Sequence, residues 1–231
     1  MNAPPAATRR VIGSIERHLS AIYRIDPLAH ASDFLLEDEH HANLASREKL
    51  PESEGQLLVL EEAGDVWIGI YLDARVRGEL EARDPYARLD GGNLCPFLTA
   101  VEETSHFLYL LWSVGNGRPV SRFQLELQGE IDKFASSALV LRGQGWRPRE
   151  SHPPGDLHQI LFGAAEIDTR LDEEDAFRYR AAHQLAARYC LTLEESYLPS
   201  RGLTRIPAML MDLRRFYRLP GSAKIRHILS N

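Results

Sequence analysis

Cysteine is nearly absent from this chain. Cys95 and Cys190 are the only two in 231 residues, and neither sits in a CxxC or zinc-knuckle spacing. A disulfide framework is therefore not expected, and a reduced intracellular setting fits better. Long apolar runs are missing too. The longest, Phe107 to Trp112, has six residues, far below the ~20 that a membrane-spanning helix needs. The N-terminal MNAPPAATRRVIGSIERHL has no apolar stretch and no small-residue cleavage site, so it does not read as a signal peptide. The expectation is a soluble, cytoplasmic protein that does not engage membranes. There is no excess of positive charge: a net charge of −6 argues against a general nucleic-acid binder. No serine stands in a GxSxG elbow, and there is no P-loop and no GxGxxG. The motif-borne forms of serine hydrolysis and nucleotide binding are thereby excluded.

What is present is an ordinary globular balance, 44% hydrophobic and 26% charged, over a length that can bury a core. Residues 1–8 form a Pro/Ala leader expected to be disordered. Val11, Ile15, Leu19, Ile22 and Tyr23 then recur at helical spacing, which predicts a helix from Arg10 to about Ile25, ended by Asp26-Pro27. The polar stretch DFLLEDEHHANLASREKLPESEG reads as irregular, with His40 and His41 in an exposed loop. In GQLLVLEEAGDVWIGIYLD the period changes to that of strands. Leu57 to Leu60 and Val66 to Leu72 flank Ala63-Gly64-Asp65, a hairpin signal. A short helix is expected within residues 73–85, a long one from about Pro96 to Ser113, and another from Ser121 to about Leu139. Ser121 is its N-cap, with a carboxylate at Glu126 rather than at the capping-box position. Phe177 to Leu193 reads as helical.

The fold expected is α+β: an N-terminal helix, a small antiparallel sheet, a long helical hairpin and a helical C-terminal segment. Residues 1–142 form the α+β domain. Residues 143–165, opening with GQGWRPRESHPPGD, form a Pro/Gly-rich linker or long loop. Residues 166–231 form a helical C-terminal region with a basic tail.

The chemistry-bearing stretch is VEETSHFLYLLW, Val101 to Trp112. Glu102 and His106 are one helical turn apart, and Glu103 neighbours His106, so all three lie on one side of the helix. The next turn is apolar all round, the mark of a buried helix. Ionisable groups entering such a helix need ion pairs, hydrogen bonds or a metal. Glu102-Glu103-Thr104-Ser105-His106 resembles the HExxH helix of zincin metallopeptidases, with Glu102 in place of the first His. The order of helix, hairpin, motif helix and glutamate helix over residues 10–140 is similar to a minimal gluzincin. The resemblance implies His106 and Glu102 as metal ligands, Glu103 as general base, and a third ligand on the following helix. Glu126 and Glu130 lie twenty and twenty-four residues beyond His106. Glu130 borders the apolar face of its helix and is the expected ligand, whereas Glu126 points about 90° from that face's centre. One imidazole among carboxylates makes a hard, anionic site, suited to a divalent zinc, manganese or iron ion, or to magnesium. The alternative is a metal-free core. In it the carboxylates pair with Arg118, Arg122 or Lys133, and His106 is hydrogen-bonded.

The last 31 residues carry seven Lys or Arg against one acid, Asp212. Arg214, Arg215, Arg218, Lys224 and Arg226 alternate there with aromatic and apolar residues. This reads as a docking segment for a partner protein or for the chain's own acidic run, Glu166 to Asp175, and less as a nucleic-acid contact. Two functions follow. The first is a non-catalytic adaptor with a degenerate zincin-like helix and a basic docking segment. The second is a metal-dependent, peptidase-like hydrolase that uses Glu103 as base.

Overall fold

The computed structural model describes residues 6–62, 64–146, 157–163, 173–198 and 205–230. In chain order the elements are α1 (Ala6–Tyr23), a 3-10 turn (Ala31–Phe34), α2 (Asp38–Glu48), β1 (Gly55–Glu62), β2 (Asp65–Leu72) and α3 (Ala74–Ala82). Then come α4 (Leu94–Gly115), α5 (Arg122–Gly143), α6 (Leu157–Phe162), α7 (Glu173–Tyr197), α8 (Ile206–Tyr217) and α9 (Gly221–Ser230). The fold is α+β, mostly helical, with one two-stranded antiparallel sheet. Among the described residues no helix is long and apolar enough to cross a membrane.

Helix α1 forms because Val11, Ile12, Ile15, Leu19 and Ile22 make one apolar stripe, and all five are buried. The helix starts earlier than its apolar period indicates. Ala6 to Thr8, read as part of a disordered leader, belong to it, and the Thr8 hydroxyl donates to Glu81 at 2.5 Å. The hairpin is in register with Leu57 opposite Ile70 and Val59 opposite Ile68. Gly64 turns it with φ +91°, a left-handed geometry that favours glycine.

The segment read as irregular contains α2. Its weak apolar pattern hides a helix made by tertiary contacts. His41 stacks on Tyr71 of β2 with ring centroids 3.5 Å apart, and Arg77 bonds Asp38 at 2.7 Å. His41 is thus a buried helical residue and not part of an exposed loop.

The helical hairpin is the centre of the molecule. Helix α5 packs against α4 on one side and α7 on the other. Ser121 caps α5, and its capping-box partner is Gln124, whose side chain accepts from the Ser121 N–H at 3.0 Å. Helix α7 buries Tyr189, Cys190 and Leu193, and α8 buries Met209, Leu213 and Phe216, in the same core as α1, α4 and α5. Residues 147–156 and 164–165 of the expected linker, and 166–172 of the acidic run, lie outside the described residues, and Leu157–Phe162 within that linker form the short helix α6.

Candidate metal centre

Antiparallel packing of α4 on α5 sets which side chains meet. Ser105 reaches Asp132 at 2.5 Å and Glu102 reaches Lys133 at 3.0 Å. One turn along, His106 faces the Glu126–Gly129 turn of α5. Close approach there depends on Gly129. A Cβ at that position would lie 2.8 Å from His106 Nε2 and 3.4 Å from Glu102 Cγ. On the other side of α4, Gly55 of β1 closes over Glu103, where a Cβ would lie 3.0 Å from Glu103 Cγ.

The result is a triad. Glu102, His106 and Glu126 each offer one ligand atom, all within 4.8 Å of one another. Metal–ligand bonds of about 2.0–2.2 Å require only modest side-chain rotation to bring these donors onto one ion. His106 is buried, with 7% of its surface exposed. Its Nδ1 lies 3.7 Å from Glu103 Oε2 and its Nε2 lies 3.9 Å from Glu126 Oε2. Neither separation is a hydrogen bond. Both His106 Nε2 and Glu103 Oε2 are buried without a hydrogen-bond partner.

The electrostatics favour a positive charge at this point. Burial lowers the His106 pKa, but the nearby Glu103, Glu126 and Glu102 carboxylates outweigh it and raise it to about 9. Burial lifts Glu126 to about 7, against the opposing pull of His106, and likewise pushes Glu103 up. Tyr179 of α7 lies near this cluster, and burial first, then the Glu126 and Glu102 carboxylates, raise its pKa.

Glu130, expected as the third ligand, is elsewhere. Its Oε1 accepts from Lys133 Nζ at 2.9 Å, and its Oε2 lies 3.5 Å from His183 Nδ1 of α7. Burial opposes the Glu130 charge, yet Lys133 and His183 hold its carboxyl well below the usual range. The hairpin register is the reason. Glu126 is level with His106, whereas Glu130 lies one turn further along α5, towards Lys133 and α7. Glu103, expected as a general base, faces Nδ1 of His106, the ring nitrogen opposite the triad.

The basic segment is also placed differently. Lys224 is fully buried and cannot meet a partner. Its Nζ donates to Gln128 Oε1 at 2.6 Å and lies 4.4 Å from the ring centre of Tyr109 and 4.8 Å from that of Phe216. Arg214 Nε donates to the Ile22 carbonyl at 2.7 Å, and Arg218 donates to that of Tyr23 at 2.9 Å. These two arginines cap the open carbonyls at the end of α1. Arg215 and Arg226 remain exposed.

Beneath Lys224 lies a buried network invisible to motif reading. Asp132 accepts from Tyr23 Oη, from Ser105 Oγ at 2.5 Å, and from Gln128 Nε2 at 3.0 Å. The helical period of residues 121–139 places Asp132 off the apolar stripe, so its sequence position reads as a solvated face and gave no warning of its burial. His183 carried only a weak signal, a polar residue within the predicted helix 177–193.

No family model, curated protein or solved structure matches the chain.

Proposed function

We propose that the protein is non-catalytic and that its zincin-like helix pair holds one divalent cation as a clamp between α4 and α5. Glu102, His106 and Glu126 are the ligands. The single observation that carries this reading is His106 Nε2, which is buried, without a hydrogen bond, and directed at the Glu126 carboxylate. A buried polar atom without a partner costs about 1–3 kcal/mol, and a cation at this point would satisfy it.

Glu103 supports the non-catalytic half. Ligating histidines commonly present their second ring nitrogen to a carboxylate, which fixes ring orientation. Glu103 stands at that second nitrogen, 3.7 Å away. A small closure of that gap would let it orient His106, and its place on the far side of the ring from the triad takes it away from where a reacting water would be deprotonated. A bound cation supplies Lewis acidity, and in the hydrolase alternative it would activate water and a carbonyl group. The exposed Arg215 and Arg226 are the surface left for a partner protein.

Titration with Mn2+ and with Zn2+ tests the proposal. One equivalent is expected to bind. At roughly a hundredfold excess over Kd it stabilises the fold by about 2.7 kcal/mol. His106→Ala and Glu126→Gln lose the binding, and Glu130→Gln retains it. A wild-type protein that binds neither ion overturns the metal reading. Cation-dependent hydrolysis of a peptide, abolished in Glu103→Gln, overturns the non-catalytic one.

A further inference from the structure

The β-hairpin has one closed edge and one open edge. The Leu36 N–H donates to the Ile70 carbonyl at 2.8 Å, and Leu35 bridges Ile70 in parallel. The backbone polar groups of Ile70 therefore point away from β1. Along an antiparallel ladder, residues alternate between bonding the partner strand and facing outward. Ile70 stands opposite Leu57, so Leu57 faces outward from β1, and Val59 and Glu61 do so with it. Gly55, in the same series, has its carbonyl and its N–H met by the Ser53 hydroxyl. On β2, Leu36 covers Ile70, and the Arg77 guanidinium donates to the Leu72 carbonyl at 2.9 Å. Among the described residues no group does the same for Leu57, Val59 or Glu61. Edge strands are commonly blunted by lysine, proline or a bulge. β1 has no lysine and no proline, and its ladder runs unbroken from Gly55 opposite Leu72 to Glu62 opposite Asp65. Val59, in the middle of the open stretch, is 44% exposed, and Val66 on the same sheet face is 61% exposed.

We propose that this edge pairs with the β1 edge of a second copy of the chain, antiparallel about a two-fold axis through Val59. The product is one four-stranded sheet in the order β2-β1-β1-β2. This is independent of the cation reading. An open edge binds an extended strand through its main-chain groups, and the pattern here is complementary to itself. With the axis at Val59, Val59 meets its own copy and Leu57 meets Glu61 of the other copy. Every open residue then faces an open residue, and each such pair exchanges both of its hydrogen bonds. Charge agrees with this register. Glu61 falls opposite Leu57 and Glu62 opposite Gln56, so no two acidic positions are opposed. The neighbouring registers are worse. An axis at Leu58 sets Glu61 against Gly55, whose groups Ser53 already holds. An axis at Leu60 carries Leu57 past Glu62, the end of the other strand, and an axis at Glu61 opposes two carboxylates. The contact is isologous, as a closed dimer requires. It also brings Val59 against an apolar neighbour and gives the hairpin the additional strands that a two-stranded sheet lacks.

Sedimentation equilibrium of the full chain over a wide concentration range tests this, on wild type, Val59→Lys and Val66→Lys. Wild type is expected to reach twice the chain mass. Val59→Lys sets two ammonium groups opposite each other across the axis and is expected to stay at the chain mass, with unchanged circular dichroism. Val66→Lys lies on the same face but on β2, away from the axis, and is expected to remain a dimer. Amide hydrogen exchange reads the register. The N–H groups of Leu57, Val59 and Glu61 are expected to be protected in wild type and open in Val59→Lys, whereas those of Leu58 and Leu60 bond β2 and are protected in both. A wild type that stays at the chain mass throughout overturns the inference and leaves the edge to a strand of a different protein. A dimer that survives Val59→Lys, or whose Leu57, Val59 and Glu61 amides stay open, overturns it as well, because the contact then lies elsewhere. Should Val59→Lys lose its circular dichroism, oxidation of Val59→Cys and of Glu61→Cys, each in a Cys95→Ser chain, decides. Opposed residues of a bonded pair have Cα atoms about 5.5 Å apart, within disulfide reach. Glu61 and its copy are separated by about 13–14 Å along the strands. Cross-linking at 59 and not at 61 supports the pairing, and any other pattern overturns it.

Discussion

Replacing Lys224 with methionine should stabilise the protein near neutral pH and destabilise it in alkali. The lysine is fully buried. Burial is the largest influence on it and lowers its pKa to about 7, with the Asp132 carboxylate pulling the other way and Arg118 adding to the depression. The groups packed around it are Tyr109 of α4, Gln128 of α5, and Phe216 and Tyr217 of α8. An unfolded lysine titrates near 10.4. Between that value and about 7 the unfolded chain binds the extra proton, so folding stability rises as pH climbs through this window. At about 1.36 kcal/mol per pKa unit the whole window amounts to about 5 kcal/mol as an upper bound. Methionine has no such proton. It leaves Gln128 Oε1 without its donor, a loss of about 1–3 kcal/mol that does not depend on pH. The variant should therefore be the more stable protein at pH 7, by up to roughly 4 kcal/mol, and the less stable one above pH 10. Urea denaturation of both proteins from pH 6.5 to 9.5 measures this. The range stops short of Asp132, which burial raises to about 6. If the difference between the two proteins stays constant across that range, Lys224 is not held neutral by the fold and the reasoning is refuted.

Three further outcomes are expected. Gly129→Ala, which at an ordinary helical site gains about 1 kcal/mol, should here destabilise by about 1–3 kcal/mol and abolish cation binding, because its Cβ would press on His106 Nε2; thermal melts and an Mn2+ titration read both effects. Asp132→Ala strands the Tyr23, Ser105 and Gln128 donors, and chemical denaturation should show a loss of at least about 3 kcal/mol. In the presence of a chelator, His106 has a raised pKa of about 9, so its contribution is complete below the unfolded value near 6.5 and is lost as pH rises through 9. Melts of wild type against His106→Gln should then converge in alkali with chelator. With Mn2+ the wild-type advantage should instead grow with pH, as protons cease to compete for the ligands; identical melting of the two proteins at every pH counts against any role for His106.

The α+β class, the hairpin and the α4–α5 pair were legible in the sequence because they are local. The strand period of residues 57–72 and the helical stripe of α1 are set by neighbours a few positions apart, and the Ser121 cap acts within one turn. The cluster of Glu102, Glu103 and His106 was legible for the same reason, since residues three and four apart share a helix face by geometry alone. Helix α2 was not, because His41 on Tyr71 and Asp38 on Arg77 are contacts between separate elements. The third member of the triad was decided by the register of α4 against α5. A helical wheel ranks Glu130 above Glu126 by closeness to the apolar stripe, but it carries no information about which turn of one helix is level with which turn of the other. The same limit governs the basic tail. Composition showed a positive segment. Only the packing of α8 and α9 onto α1, α4 and α5 turned Arg214 and Arg218 into helix caps and drew Lys224 into an aromatic cage, because a charge's solvation depends on what lies around it in space and not beside it in the chain.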